Sequence, residues 1–356
     1  MNLESVGGAV AVLALVIFVH ELGHFLVAKW CDVEVLTFSM GFGPTLIEKQ
    51  VGETTYRLAL IPFGGYVRMA GQDDSGDAPA KDPNRGFSAK SLSQRAAIVA
   101  AGPLVNVVFA FVLYLGTLLG YGSPVASTAA RVGEVLPDRP AARAGLIAGD
   151  TIRAIDGQPI EKWEQLVSTV RGSDGRELIL TVANAEGAER TVTVKPEGAA
   201  LPGGSEGERT WMIGIAPGTE RRPVGLFEAL GLAATRTWIS TRMILDTLGQ
   251  LASQQASFRD LGGPIMIAQE AARQAAIGFE PLLYFIALVS VNLGVINLVP
   301  IPVLDGGHLA FFAVELFRGR PLSLRVRERA LTAGVFLLIG LMVLVLFNDI
   351  SRNLAG

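Results

Sequence analysis

Four runs of apolar residues, each close to twenty long, set the terms on which this chain can fold. They extend from about Val6 to Ala28, Ala96 to Leu119, Pro281 to Pro300 and Ala330 to Phe347. About 20 apolar residues in a helix cross the hydrocarbon core of a bilayer, where each backbone polar group must bond within its own segment. A polytopic α-helical membrane protein with four transmembrane helices and both termini on one side is therefore expected. Half of the residues are hydrophobic and only 18% are charged, well away from the balance of a soluble enzyme. A net charge of −3 leaves no electrostatic footprint for nucleic acid. The single cysteine, Cys31, excludes an internal disulfide framework and a cysteine-built metal site, and reads as an apolar packing residue. No basic region or small-residue cleavage site marks the first run as a signal peptide, so it is read as a retained helix.

Lys and Arg near the span ends set the expected orientation. Lys29 follows the first run, and Lys90 and Arg95 precede the second. Arg318, Arg320, Arg325, Arg327 and Arg329 lie between the third and fourth, whereas the tails hold only Arg352. Both short loops are expected to be cytoplasmic, with the termini and the long middle segment outside.

His20-Glu21-Leu22-Gly23-His24 lies at the cytoplasmic end of the first run. Ionisable residues inside such a segment are costly, and a functional site is the default explanation. On a helix, His20 and His24 stand at i and i+4 on one face. Two imidazoles so placed can bind one Zn²⁺, with Glu21 as general base toward water at the metal. A second cluster closes the third run, where Pro300, Pro302, Gly306 and Gly307 surround Asp305. That composition breaks a helix, and irregular backbone at membrane depth is tolerated only when buried in protein or lining a cavity. The topology brings Asp305 to the same end as His20 and His24. Two histidines and one carboxylate with a fourth position open form a catalytic zinc set. His308, three residues on, is a rival third ligand or a supporting group, and chemistry alone does not choose.

The remaining segments have their own signatures. Thr54 to Leu60 alternates as a strand does, and Gly64-Gly65 and Gly41-Phe42-Gly43-Pro44 read as tight turns. A β-ribbon loop beside the membrane site, with an edge for an extended peptide, is expected there. Gly71 to Arg85, rich in Asp, Gly and Pro, reads as a mobile surface loop. Gly102-Pro103 in the second run permits close helix approach or a kink, and Asn106 can bond across helices. From Val125 to Pro217 the composition is that of a soluble domain. Gly145-Leu146-Ile147-Ala148-Gly149-Asp150, a helical stretch Trp163 to Val170 and strands Leu178 to Val182 and Arg190 to Val194 follow in the order of a bacterial PDZ domain, which they resemble. Trp211 to Ile215 looks like the strand that pairs with a peptide ligand in such domains. Gly225 to Ser257 reads as an interfacial amphipathic helix on the outer side, ended by Leu261-Gly262-Gly263-Pro264. The expected partition is 1–124, 125–217, 218–264 and 265–356: membrane core, PDZ domain, interfacial helix and second half of the core.

His-Glu-Leu-Gly-His (20–24), Gly-Phe-Gly-Pro (41–44), Phe-Gly-Gly-Tyr-Val (63–67), Gly-Pro-x-x-Asn (102–106) and the run from Asn297 to Gly307 together resemble the site-2 protease family of intramembrane zinc metalloproteases, bacterial regulator-of-sigma-E protease type. The resemblance covers nearly the whole chain. It implies Asp305 as the third zinc ligand and a backbone-holding role for Asn292 and Asn297 on an unwound substrate presented by the ribbon around Gly64 and Gly65. It also implies a bacterial inner-membrane protein cutting single-span membrane proteins, such as an anti-sigma factor after a prior exterior cut, or remnant signal peptides. Two departures stand out. Residues 125–217 have room for one PDZ domain where relatives often carry two, and Met266 replaces the glycine expected after Gly-Pro-Ile. The competing expectations are a catalytically silent PDZ-bearing membrane scaffold, and a metal carrier or channel. Neither needs both metal half-sites with Glu21 at one end of the spans.

Overall fold

Uncharged apolar sequence satisfies its backbone without water only as helix, and helix dominates one of two units. The computed structural model describes residues 3–72, 80–200, 209–253, 255 and 262–355. One unit joins Met1–Gly120 to Gly225–Gly356, and the other is Tyr121–Val224. Helix α1 (Leu3–Trp30) leads into strands β1 (Val35–Val51) and β2 (Thr54–Met69), which pair antiparallel. The chain reverses at Gly52, which has φ +61°. Thr37 to Met40 pair on one side with Thr55 to Leu58 and on the other with Gly65 to Arg68. The two long strands thus curl into a small sheet, not a flat hairpin.

The turns expected at Gly41–Pro44 and Gly64-Gly65 are not chain reversals. They lie inside β1 and β2, where Gly41, Gly43 and Gly64 (φ +89°, +86° and +142°) sit among shifts of register. Positive φ serves a bulge as readily as a turn, and the bulge bends the strand. Of the loop expected to be mobile, residues 73–79 lie outside the described residues. The rest is tied down: the Lys81 N–H donates to Glu34 Oε2 at 2.8 Å, and Arg85 bonds both Glu53 and Asp32.

Helix α2 (Leu92–Tyr121) leaves the first unit. In the second, β3 (Ser123–Ala126) and β4 (Val132–Val135) precede a short helix α3 (Pro140–Arg143). Then come β5 (Thr151–Ile155), β6 (Gln158–Pro159), helix α4 (Trp163–Arg171), β7 (Leu178–Ala183), β8 (Glu189–Val194), β9 (Glu197–Ala200), β10 (Arg209–Met212), β11 (Ile215–Pro217) and β12 (Thr219–Arg222). Strands β6, β5, β7 and β8 form one antiparallel sheet, and β3–β12, β4–β11 and β9–β10 pair separately. Alternation on β7 buries Leu178, Leu180 and Val182 against Ile152, Ile155 and Leu166. The β3–β12 pair closes the unit, so its bounds lie a few residues outside the expected 125–217. The expected ligand-pairing strand, Trp211 to Ile215, divides between β10 and β11 at Gly214, where φ is +81°.

Helix α5 (Leu226–Ala252) buries Ala229, Ala233, Thr237, Ser240 and Ile244, one stripe at three- and four-residue spacing. Ser240 Oγ meets Tyr114 Oη of α2 at 2.9 Å. Helices α6 (Pro264–Ile277) and α7 (Phe279–Asn297) pack on α1, and α8 (Asp305–Arg318) and α9 (Leu324–Ala355) follow. Helix α6 begins at Pro264, where the expected break ends, α8 fills part of the expected loop between the third and fourth spans, and α9 begins early enough to take in Arg325, Arg327 and Arg329. Among the described residues four helices are long and apolar enough to cross a membrane: Val10–Trp30, Leu92–Tyr121, Phe279–Asn297 and Leu324–Arg352. The last leaves Phe336, Leu337, Val343 and Phe347 exposed, the kind of surface that lipid covers.

Candidate metal centre

Helix α1 presents His20 and His24 one turn apart, as a 3.6-residue repeat requires. They are 7% and 8% exposed, with Nε2 atoms 3.2 Å apart. Asp305 Oδ2 lies 3.2 Å from His20 Nε2 and 3.5 Å from His24 Nε2. The three side chains offer donor atoms within 4.8 Å of one another. His308, one turn on in α8, stands outside this trio with its ring edge-on to Phe311.

The outer nitrogens of both imidazoles are occupied. His24 Nδ1 donates to the carbonyl of Ile98 at 2.9 Å, which leaves its Nε2 a lone pair. His20 Nδ1 lies 3.3 Å from Asn106 Nδ2, while Asn106 Oδ1 is buried without a partner. A half-turn of the carboxamide exchanges its oxygen and nitrogen. The orphaned oxygen then accepts from His20 Nδ1–H, and His20 Nε2 also carries a lone pair. Two imidazole lone pairs and a carboxylate converging on one point are stable around a cation, and this N₂O set suits zinc. The residues fit the metal.

Small residues bring the helices this close. A Cβ on Gly23 would lie 2.6 Å from the carbonyl oxygen of Ala101, and one on Gly102 would enter the His24 imidazole. A Cβ on Gly294 would sit 2.7 Å from the carbonyl of Pro103, beside the Ser290 hydroxyl that donates to Asn106 O at 2.8 Å. Helices α1, α2 and α7 therefore meet around the histidines with little side chain between them. Asp305 is the first residue of α8, after a connection in which Val303 takes φ +93°, rare for a β-branched residue. Gly306 and Gly307 follow because a Cβ on either would strike the carbonyls of Leu298, Val299 or Ile301. Arg95 of α2 holds α8 in place, bonding Glu315 at 2.6 Å with its guanidinium over Phe312.

The trio opens on a cavity of about 570 Å³, which Glu21 also lines. Gly65 gives it bare backbone there, since a Cβ would come 2.9 Å from Glu21 Cγ. Gly64, Asn297 and His308 line the same cavity. Asn292 is half-buried on α7 and is not among the lining residues, and Asn106 stands behind His20. Gln72, Arg95 and Arg327 line it as well. They come from separate elements with no shared motif; in the sequence the two arginines stood out only as charges flanking the spans, and Gln72 not at all.

The model of peptidase family M50 matches residues 8–341. The chain belongs to that family, the site-2 proteases. This M50 protein is 33% identical to the regulator of sigma-E protease of Escherichia coli strain K12 over 445 residues, covering 96% of this chain and 97% of that one. It is likewise 33% identical to the regulator of sigma E protease of Salmonella typhi, covering 98% and 99%. The zinc metalloprotease RasP of Geobacillus kaustophilus is 33% identical over 427 residues, with 99% of each chain covered. The M50 protein is thus a zinc metalloprotease and, with its four apolar helices, a membrane protein.

Proposed function

We propose that this M50 protease cuts single-span membrane proteins within or beside their membrane segment. The observation that carries the reading is the trio His20, His24 and Asp305, with Glu21 next to it, enclosed by apolar helices. In this reading His20, His24 and Asp305 hold the zinc, with Asn106 and the Ile98 carbonyl fixing the imidazoles. A zinc ion held there supplies Lewis-acid polarisation of the scissile carbonyl and acidifies water. Glu21 takes the proton of the attacking water and delivers it to the leaving amine. A peptide bond within a helix is shielded, so the substrate unwinds locally. The half-buried backbone at Gly64 and Gly65, which lines the cavity, offers it strand-like hydrogen bonds, and the side chains of Asn297 and Asn292 offer more.

As substrates we infer an anti-sigma factor trimmed first on its exterior side, and remnant signal peptides; the names of two relatives, which speak of regulating sigma E, support the first. The unit Tyr121–Val224 acts as a PDZ domain outside the membrane, excluding substrates with bulky exterior domains. Between α4 and residues 210–215 it encloses a cavity of about 250 Å³ lined by Trp163, Leu166, Val170 and Ile213, room for a peptide tail. The arginines of residues 318–329 favour a cytoplasmic position for that loop, with the metal centre toward the cytoplasm and both termini outside, in a bacterial inner membrane. A silent scaffold would need neither the trio nor Glu21. Glu21→Gln should abolish cleavage while zinc content, measured by atomic emission, stays at one per chain; unchanged turnover would remove Glu21 from the mechanism.

A further inference from the structure

The cavity of the metal centre takes in two arginines that neither metal binding nor proton transfer uses: Arg95 near the start of α2 and Arg327 in the first turn of α9. Among the described residues three buried side-chain nitrogen or oxygen atoms lack a hydrogen-bond partner. One is Asn106 Oδ1, which the half-turn matches to His20. The other two are the Nε atoms of Arg95 and Arg327, and both residues line this cavity. Buried donors are as a rule met by an acceptor, and one left without calls for a ligand or water.

The two cations differ in their balance. Arg95 donates from both Nη atoms to Glu315, at 2.6 and 3.3 Å, and its buried Nε–H has no partner among the described residues. No hydrogen bond or ion pair to the Arg327 side chain occurs among the described residues. Glu328 lines the cavity too, but it is exposed, and successive helical residues point about 100° apart. Asp305 lies against His20 and His24, and in the proposed mechanism both it and Glu21 serve the metal site. Among the described residues Arg327, half-buried with its Nε enclosed, has no counter-ion. A planar guanidinium fork is matched by a carboxylate, which accepts from Nε–H and Nη–H together.

A cavity of about 570 Å³ is roughly 8 Å across, the reach of two to three residues of extended chain at about 3.3 Å each. We infer that Arg327, joined by Nε of Arg95, is an anion subsite that receives an aspartate or glutamate side chain of the substrate within two or three residues of the scissile bond. This specificity rests on the peptidase reading of the same cavity.

The test uses the full-length, zinc-loaded protein and pairs of single-span transmembrane peptides that differ only in Glu against Gln. The variable residue is walked through three positions on either side of the cut, which is mapped by mass spectrometry. At one of these positions the wild type should prefer Glu by about tenfold in kcat/KM. Arg327→Gln should bring that ratio to about one, and Arg327→Glu should turn it toward a Lys peptide. In parallel, the affinity of the Glu peptide for Glu21→Gln protein, read by fluorescence anisotropy, should fall by a similar factor when Arg327→Gln is added. Equal losses for Glu and Gln peptides, or no discrimination at any position, would mean that water alone meets these donors, and the subsite would be withdrawn. Should the wild type cut none of the peptides, the peptidase reading fails, and the anisotropy comparison still decides the subsite.

Discussion

Gly102 stands where a methyl group would enter the His24 imidazole, so the metal site depends on a residue that has no chemistry of its own. Gly102→Ala should tilt His24 away from His20 and Asp305 and lower zinc affinity by about 10- to 100-fold, the range for loss of a supporting contact around a metal. Competition with a chromophoric chelator measures this, and wild-type affinity would show that α1 and α2 can separate without harm to the site. The chain shows in advance that His20 and His24 share a face, because helical periodicity alone decides it. Asp305 could be placed at the same end of the spans, but its preference over His308 as the proposed ligand came from resemblance; the distances of 3.2 and 3.5 Å show that it lies against both histidines. The need for glycine at 102, and the burial of Arg327 Nε, depend on which helix lies opposite. Local sequence does not carry that.

The β1–β2 element is pinned to the end of α1 by charge. Glu53, beside the Gly52 reversal, accepts from Arg85 at 2.8 and 3.0 Å and from Lys29 at 2.5 Å. Those hydrogen bonds, Arg85 first, hold its carboxyl at about 2, against an ordinary value of 4.5. A carboxyl depressed in the folded state adds stability above the unfolded value, and that stability is lost as pH falls through the folded one. The Tm advantage of wild type over Glu53→Gln should therefore be full above about pH 5 and shrink progressively toward pH 2. A difference that stays constant across that range would mean the cluster does not tie the strands down. Long elements were legible because the four spans announce themselves by length and lack of charge. Helices α6 and α8, at 14 residues each, have no such run, and their faces are defined by packing on α1 and α2. Glycine is ambiguous in a further way: Gly41 and Gly64 marked unusual backbone correctly, but φ > 0 does not distinguish a bulge from a turn.

At the scale of the molecule, the composition of the chain changes near residue 125, and Tyr121–Val224 forms a compact unit of its own between the two stretches of the other. Its ends meet in the β3–β12 pair, and its core is closed around Ile152, Leu166, Leu178 and Leu180. The excised fragment 121–224 should unfold in a single cooperative thermal transition by circular dichroism. A gradual loss of signal would mean that it depends on the rest of the chain. The other unit has the opposite character. Helix α9 has exposed Phe336, Leu337 and Val343 along its length, and water is a poor solvent for such a surface. A membrane setting therefore belongs to the fold itself.

The central proposal is that His20, His24, Asp305 and Glu21 together hydrolyse a peptide bond at the membrane. Co-expression of a tagged, exterior-truncated single-span substrate with wild type, Glu21→Gln and Asp305→Ala tests it by gel mobility. Cleavage by the wild type alone, with zinc retained by Glu21→Gln and lost from Asp305→Ala, is the predicted result. Cleavage that survives either substitution, or a zinc-loaded wild type that cuts none of several such substrates, would contradict it.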